Sequence, residues 1–445
     1  MTATQVLAQT LSAERVHTAL QAARPIATGQ VVEAVGLSLL VRGVDAAVGD
    51  LVEVGTGRTT TPLLAEVAAA TVRGLICLPL GSTTGVAAGD PVLATGAPLQ
   101  VPVGPALLGR VLDGLGRPLD GGPSLDHLPR VPVEHQAPEA LTRSRIDAQV
   151  GLGVRALDAL IPCGRGQRLG IMAGSGVGKS TLLSLIARNT RANVCVVALV
   201  GERGREVREF LENDLGADGL SRSVVVVATS DAPPVERLRA AFVATRIAES
   251  FRDQGADVVL MMDSLTRVAM AQREVGLSAG EPPATRGYPP SVFALLARLV
   301  ERAGPARHGS ITGLYTILVE GDDIHDPIGD SARSYLDGHV VLSRRLASAG
   351  HYPSIDVLGS VSRLTSAVTD DVQQADATEV RRLLAAHADV RELVEIGAYV
   401  AGTNPVADRA LALKPALDAF CRQRVDEHSD LADTWSALHE LVSAP

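Results

Sequence analysis

The segment 173–180 places the tightest constraint on how this chain folds. It reads Ala-Gly-Ser-Gly-Val-Gly-Lys-Ser, follows an apolar run at 168–172 and precedes a helical pattern at 181–187. A glycine-rich turn between a strand and a helix is the setting that a phosphate-binding loop (P-loop) requires. Alanine takes the first position in place of glycine, a variant that the motif tolerates. The segment therefore predicts a nucleotide-phosphate site on a strand–turn–helix unit.

Each residue type in this segment has a physical role. The glycines let the backbone adopt conformations that are closed to bulkier residues, so that its amides can surround an anion. The following helix adds unpaired N–H groups and the positive end of its dipole. The Lys179 ammonium can neutralise the outer phosphates, and the Ser180 hydroxyl can ligate Mg²⁺. The predicted nucleotide contacts are Ala173, Gly174, Ser175, Gly176, Val177, Gly178, Lys179, Ser180 and Thr181.

The composition argues against several classes of protein. A chain of 445 residues, 46% of them apolar, is expected to fold as about two or three domains. A net charge of −9 and 2% aromatic residues argue against binding to nucleic acid. The four cysteines form no CxxC pair, which predicts buried thiols in a reducing compartment and no zinc site. Without a signal peptide or a bilayer-spanning apolar run, the protein is expected in the cytoplasm.

The chain divides by composition into four segments. Residues 1–24 form a helical pattern that either docks a partner or packs on its own domain. In 25–98, short Val- and Leu-rich runs between turns predict a small β-barrel. A Pro- and Gly-rich connector at 99–150 leads into alternating strands and helices, and the two together make a predicted ATPase domain at 99–370. Helical patterns at 375–386, 390–398, 405–420 and 429–441 predict a C-terminal helical domain at 371–445.

The alternating segment predicts an α/β fold with a mostly parallel sheet. Its continuous apolar runs are typical of parallel strands that are buried on both faces. In such a sheet, ligands bind at the carboxyl ends of the strands. The expected strands lie at 194–200, 223–228, 257–262, 310–319 and 339–342, and the expected helices at 204–215 and 234–254.

Carboxylates follow two of these strands and are the first chemical candidates. Asp263 ends an apolar run and can hold Mg²⁺, although it can also cap the helix that follows. Glu202 can polarise an attacking water, unless it is a surface residue paired with Arg203 or Arg205. Glu206 is a competing carboxylate one helical turn further along. The positions at strand ends favour metal binding for Asp263 and catalysis for Glu202.

Five motifs together resemble those of the flagellar and type III secretion ATPases, which are relatives of the rotary ATP synthase subunits. They are Gly-Glu-Arg-Gly-Arg-Glu at 201–206, Asp-Ser-Leu-Thr-Arg at 263–267, Ala-Gln-Arg-Glu at 271–274, Gly-Glu-Pro-Pro-Ala-Thr-Arg-Gly-Tyr-Pro-Pro-Ser-Val-Phe at 280–293 and Leu-Asp-Gly-His-Val-Val-Leu-Ser-Arg at 336–344. The resemblance implies an N-terminal β-barrel, a RecA-like P-loop NTPase core and a C-terminal helical domain. It also implies a homo-hexameric ring that hydrolyses ATP to drive protein export.

The resemblance implies a catalytic role for each polar candidate. Glu202 matches the position that activates water, and Asp263 matches the Walker B carboxylate. Lys179 and Ser180 match the phosphate and Mg²⁺ positions. By chemistry alone, Arg363 is one of several arginines that could reach a γ-phosphate. By resemblance, it matches the arginine finger that acts on the site of a neighbouring subunit.

Further site residues and the partners are also implied by resemblance. Tyr352 matches an aromatic residue that packs on adenine, and Tyr399 is expected to border the same pocket. Arg203 and Arg267 match positions that support the site. The implied partners are a dimeric stator-like regulator that docks on the N-terminal segment, membrane proteins of the export gate, export chaperones and their substrates. The implied location is the inner face of the cytoplasmic membrane.

Three alternatives are weighed against a flagellar export ATPase. The acidic balance and the scarce aromatic residues argue against an RNA translocase built on the same RecA-like ring. Ring subunits that bind nucleotide in a structural role lack the activating glutamate, which this chain has in Glu202. An injectisome ATPase is the nearer alternative. The segment Ala-Gln-Arg-Glu-Val-Gly-Leu at 271–277 and the short N-terminal region favour the flagellar enzyme.

Overall fold

The computed structural model describes residues 28–55, 61–319 and 326–443. They fall into two compact units, with the boundary after Pro98. The predicted docking helix at 1–24 lies outside the described residues. The separation of the larger unit into domains at residue 370 stays a prediction. Within the described residues, no helix has both the length and the apolar character needed to cross a bilayer.

The first unit is a closed barrel of six antiparallel strands, in the order β1-β2-β5-β4-β3-β6. Alternate side chains of the strands point inward, and the interior is filled mainly by small β-branched residues such as Val31, Val41, Val52 and Val67. The predicted barrel is therefore confirmed. Its strands are β1 Thr28–Val35, β2 Ser38–Arg42, β3 Asp50–Val54, β4 Leu63–Thr71, β5 Gly74–Pro79 and β6 Pro91–Pro98.

The second unit is built on a mostly parallel sheet with the order β17-β16-β10-β15-β13-β11-β12-β8. Every residue of β11 and β12 is buried, as their unbroken valine-rich sequences predict. The strands are β8 Val111–Asp113, β10 Arg168–Ala173, β11 Val194–Val200, β12 Ser223–Ala228, β13 Asp257–Asp263, β15 Ser310–Leu318, β16 Gly338–Leu342 and β17 Ile355–Ser362, with β7 Gln100–Pro102 and β9 Arg130–Pro132 as a separate pair and β14 Gly304–Pro305 added to β15.

Helices cover the sheet and continue beyond it into the C-terminal segment. One core cluster joins Leu157 of the helix Arg155–Leu160 to Leu383 and Leu438 of the C-terminal helices, and it also includes Leu182 of the helix that follows the P-loop. The helices are α1 Arg155–Leu160, α2 Lys179–Asn189, α3 Gly204–Glu209, α4 Gly216–Ser221, α5 Pro234–Asp253, α6 Leu265–Ser278, α7 Pro290–Glu301, α8 Pro327–Tyr335, α9 Arg344–Ser348, α10 Thr365–Val368, α11 Asp371–Glu395, α12 Pro405–Cys421 and α13 Leu431–Ser443.

The structure corrects the sequence prediction in four places. The connector at 99–150 contains β8, a three-residue strand that pairs in parallel with β12. The sheet also ends in an unpredicted antiparallel strand, β17. The two helices predicted at 375–386 and 390–398 are the single helix α11, because no glycine or proline interrupts the chain between them. The helix predicted at 204–215 instead contains a π-helical turn at Phe210–Leu215 and continues to Ser221.

Candidate active site

The P-loop joins β10 to α2 at the carboxyl edge of the parallel sheet. Ala173 is the last residue of β10, and Lys179 is the first residue of α2. Gly176 and Gly178 have φ values of 74° and 90°, which L side chains rarely adopt. A Cβ at Gly178 would also lie 2.9 Å from Cε1 of Tyr352. The predicted strand–turn–helix unit is therefore present, with glycine required at its tightest turn.

The Lys179 ammonium lies between two carboxylates that follow neighbouring strands. Its Nζ is 2.6 Å from Oδ1 of Asp263 and 3.2 Å from Oε1 of Glu202. Burial by itself lowers the pKa of Lys179, but the attraction of Asp263 and Glu202 outweighs burial and leaves the pKa above its usual value. Lys179 is therefore a cation at neutral pH, as the binding of phosphate requires.

Glu202 is buried in the site and is not a surface carboxylate. It is 8% exposed, and its side chain faces Lys179. The neighbouring arginines pair with other acids: Arg203 with Glu206 at 3.4 Å, and Arg205 with a glutamate one turn further along at 3.9 Å. Arg203 and Glu206 line the mouth of the pocket, as does Arg205. The alternative of a surface Glu202 paired to an arginine is therefore not observed.

Asp263 ends β13 and is 4% exposed. Its alternative role as the cap of α6 belongs instead to Ser264, whose hydroxyl accepts the Arg267 backbone N–H at 3.3 Å. Burial raises the pKa of Asp263 above its usual value, although Lys179 opposes the shift. Ser180 lines the pocket that also contains Glu202 and Lys179, and Asp263 contacts this pocket through Lys179. A carboxylate and a hydroxyl are oxygen ligands that fit Mg²⁺, so this pair could hold the cation.

Two adjoining pockets meet at Thr181 and Tyr352. One, of about 610 Å³, is lined by the P-loop with Glu202 and Arg203, and the other, of about 820 Å³, by residues of the C-terminal segment. The Tyr352 ring packs on Gly178, and its backbone carbonyl accepts the Gln423 N–H at 2.9 Å. The aromatic ring therefore stands where the phosphate pocket opens into a second cavity.

Two predicted residues are not brought to this pocket. Ser362 pairs with Gly338 at the start of β16, so Arg363 lies at the edge of the sheet opposite to the P-loop. Its guanidinium donates to the Arg333 carbonyl at 3.1 Å. Tyr399 lies near the turn between α11 and α12, where its hydroxyl donates to Asp408 Oδ1 at 2.9 Å, and it lines neither of the two pockets. We therefore do not place Tyr399 at the nucleotide site.

Two buried hydroxyls support the site although no sequence motif marks them. Ser354 donates to the carbonyl of Val177 and so attaches the Tyr352 turn to the P-loop. Thr316 donates to Oδ1 of Asp263 at 2.7 Å. Neither hydroxyl stands at a predicted strand end or beside a glycine motif. Only the strand register brings Thr316 next to Asp263.

Comparison with known proteins gives matches over nearly the whole chain. Residues 153–362 match the nucleotide-binding domain of the ATP synthase alpha/beta family. Residues 369–440 match the C-terminal domain of the type III secretion ATPase EscN. The flagellum-specific ATP synthase of Salmonella typhimurium is 50% identical over 93% of this chain and 91% of its own length. The type 3 secretion system ATPase of Xanthomonas euvesicatoria is 49% identical over 93% of this chain and 94% of its own length.

Solved structures agree with these matches. The assembled ATPase EscN of the enteropathogenic E. coli type III secretion system superposes with a TM-score of 0.87 and 44% identity, covering 93% of this chain and 100% of that one. EscN in complex with its central stalk EscO gives the same TM-score at 43% identity. The barrel, the parallel sheet and the C-terminal helices thus have counterparts in one known architecture.

Proposed function

The chain belongs to the family of flagellum-specific ATP synthases and type 3 secretion system ATPases, and we propose that it hydrolyses ATP at sites shared between neighbouring copies of itself. The resemblance inferred from the motifs is confirmed by both kinds of relative. The observation that carries the proposed chemistry is the position of Glu202, buried beside Lys179 in the phosphate pocket. A nucleotide-binding subunit with only a structural role has no use for a carboxylate there.

Each polar residue of the pocket then has a task. The P-loop amides and Lys179 bind the β- and γ-phosphates, and Glu202 accepts a hydrogen bond from the attacking water and orients it. Ser180 and Asp263 would hold Mg²⁺, which neutralises the charge that develops on the phosphates. The Tyr352 ring offers the adenine a flat apolar face at the entrance to the second pocket. Arg203 and Arg267, at the mouth of the phosphate pocket, support the site.

Arg363 completes the site of a neighbouring copy in this proposal. The P-loop follows the carboxyl end of β10 and Arg363 lies near its amino end, two strands away, so the two are separated by about 17 Å along the strand direction alone. A side chain at one edge of the sheet serves a site at the other edge only if copies associate head to tail. Six copies in a closed ring, as proposed for this chain, make such heterologous contacts.

The proposed biological role is protein export by the flagellar apparatus. Relatives from flagella and from injectisomes match at nearly the same identity, so both roles are supported. The motif at 271–277 favours the flagellar role, which restoration of motility in a strain lacking its flagellar ATPase would test. The proposed partners are a stator-like dimer at the N-terminal segment, a central stalk, gate proteins and chaperones with their substrates. The proposed location is the cytoplasmic face of the membrane.

The decisive experiment compares two single variants, in each of which glutamine replaces one glutamate of the pocket. Glu202→Gln should lower the ATPase rate by about 10²–10⁴-fold while ATP binding survives. Glu206→Gln is the matched control, because Glu206 lines the same pocket but pairs with Arg203. The rate per chain should also rise with protein concentration as shared sites form. Full turnover by Glu202→Gln would refute the catalytic role, and tight ATP binding without turnover in the wild type would support the structural alternative.

A further inference from the structure

We propose that Thr316 is a positioning residue, whose hydroxyl fixes the Asp263 carboxylate in the orientation that the nucleotide-bound cation requires. The inference rests on the proposed function, because it concerns how that site holds Mg²⁺. Thr316 does not line the phosphate pocket and is fully buried on β15. It therefore acts through Asp263 and does not itself contact the nucleotide.

The hydrogen bonds around Asp263 carry the argument. Thr316 Oγ1 is 2.7 Å from Asp263 Oδ1, and Lys179 Nζ is 2.6 Å from the same oxygen. The carbonyl of Met262 is a poorer acceptor for Thr316, at 3.3 Å. Because a threonine hydroxyl has one proton, the shorter bond to the carboxylate is the one that it makes. In the part of the chain that the structure describes, both side-chain donors to this carboxylate fall on Oδ1, so Oδ2 is the oxygen that faces a cation or a water bound to it.

The sheet makes this arrangement rigid. Strand β15 lies between β10 and β13, with Tyr315 opposite Met262 and Thr316 opposite Ile171. The end of β15 is attached to α6 because the backbone N–H of Leu318 donates to the Thr266 hydroxyl at 2.9 Å. A side chain on a central strand that is fixed on both sides has little freedom to move. Thr316 can therefore hold Asp263 in place before the nucleotide arrives.

The role of the hydroxyl differs from a packing role in one measurable way. Residues that orient a metal ligand typically change metal affinity or activity by about 10–100-fold when they are replaced. If Thr316 acts through Asp263, its loss weakens only those steps that involve the cation. If Thr316 merely fills the core, its loss weakens nucleotide binding with and without Mg²⁺ alike. Binding therefore separates the two roles without reference to turnover.

The experiment measures the affinity for a fluorescent ATP analogue in Mg²⁺ and in EDTA, together with the Mg²⁺ dependence of the ATPase rate. Thr316→Val keeps the shape of the side chain and removes the hydroxyl. Thr312→Val is the matched control, because Thr312 is a buried threonine on the same strand whose hydroxyl accepts the Gly166 N–H at 2.9 Å, away from the site. We expect Thr316→Val to bind at least about tenfold more weakly in Mg²⁺ but within about twofold of the wild type in EDTA.

A second pair of variants covers the case in which Thr316→Val does not fold. Thr316→Ser retains the hydroxyl and should keep Mg²⁺-dependent binding within about threefold of the wild type, whereas Thr316→Ala should lose at least about tenfold. Equal losses in the serine and alanine variants would overturn the inference. So would a Thr316→Val protein that matches Thr312→Val in Mg²⁺, or one that loses as much in EDTA. A wild-type protein that fails to bind the nucleotide in Mg²⁺ would instead overturn the proposed function, and this inference with it.

Discussion

Mixing two inactive variants tests directly whether active sites are shared between copies. The carboxylate Glu202 lies at the P-loop edge of the sheet, whereas Arg363 lies at the opposite edge, offset by about 17 Å in the strand direction. Glu202→Gln and Arg363→Ala should each be inactive alone. When the two variants are mixed in equal amounts and assemble into head-to-tail rings, a site is complete if one chain supplies Glu202 and its neighbour supplies Arg363. Random assembly makes about one quarter of the sites complete.

The assay is the steady-state ATPase rate of equal mixtures at a concentration where the wild type has reached its full rate per chain. If the sites work independently, the mixture should reach about one quarter of the wild-type rate. If the sites are coupled, the rate should be lower than about one quarter but still clearly above the rate of either variant alone. A chain carrying both substitutions, mixed with the wild type, is the control for dilution. No recovery at any mixing ratio would refute sharing, as would an Arg363→Ala chain that is fully active alone.

Two further predictions concern stability. Asp158 is fully buried, and burial raises the pKa of its carboxyl from 3.8 to about 7. Between pH 3.8 and 7 the folded chain holds a proton on Asp158 that the unfolded chain has released. The contribution of Asp158 to the free energy of unfolding is therefore greatest below about pH 4 and falls by up to about 4 kcal/mol as the pH rises to 7. Thermal unfolding of Asp158→Asn should lack this dependence of stability on pH. Glu249 binds Arg302 through two buried hydrogen bonds of 2.8 and 2.7 Å. Glu249→Ala should therefore lower the free energy of unfolding, measured in urea, by about 3–5 kcal/mol. The double variant Glu249→Met with Arg302→Met should recover most of that loss. An equal loss in the double variant would contradict this account.

Local patterns in the sequence were enough to predict most of the fold. The alternating short runs of 25–98 gave the barrel, because one face of each strand must be buried. The unbroken valine runs gave the central strands, because a strand buried on both faces has no polar side to display. The strands β8 and β17 were not predicted. The strand β8 has only three residues, and the edge strand β17 lacks an unbroken apolar run. Their pairing depends on partners far away in the sequence.

The sequence by itself was enough to predict the glycine-rich loop and the two carboxylates that lie beside its lysine. The glycines at 176 and 178, the lysine and the strand-end carboxylates are local requirements of backbone geometry and charge, so they can be recognised in one dimension. Only the tertiary structure decided which oxygen of Asp263 contacts Lys179 and which hydroxyl donates a hydrogen bond to Asp263. It also decided that Arg363 lies at the edge of the sheet opposite to the P-loop. Such relations depend on strand register and sheet edge, which arise when distant segments pair and which no local pattern records.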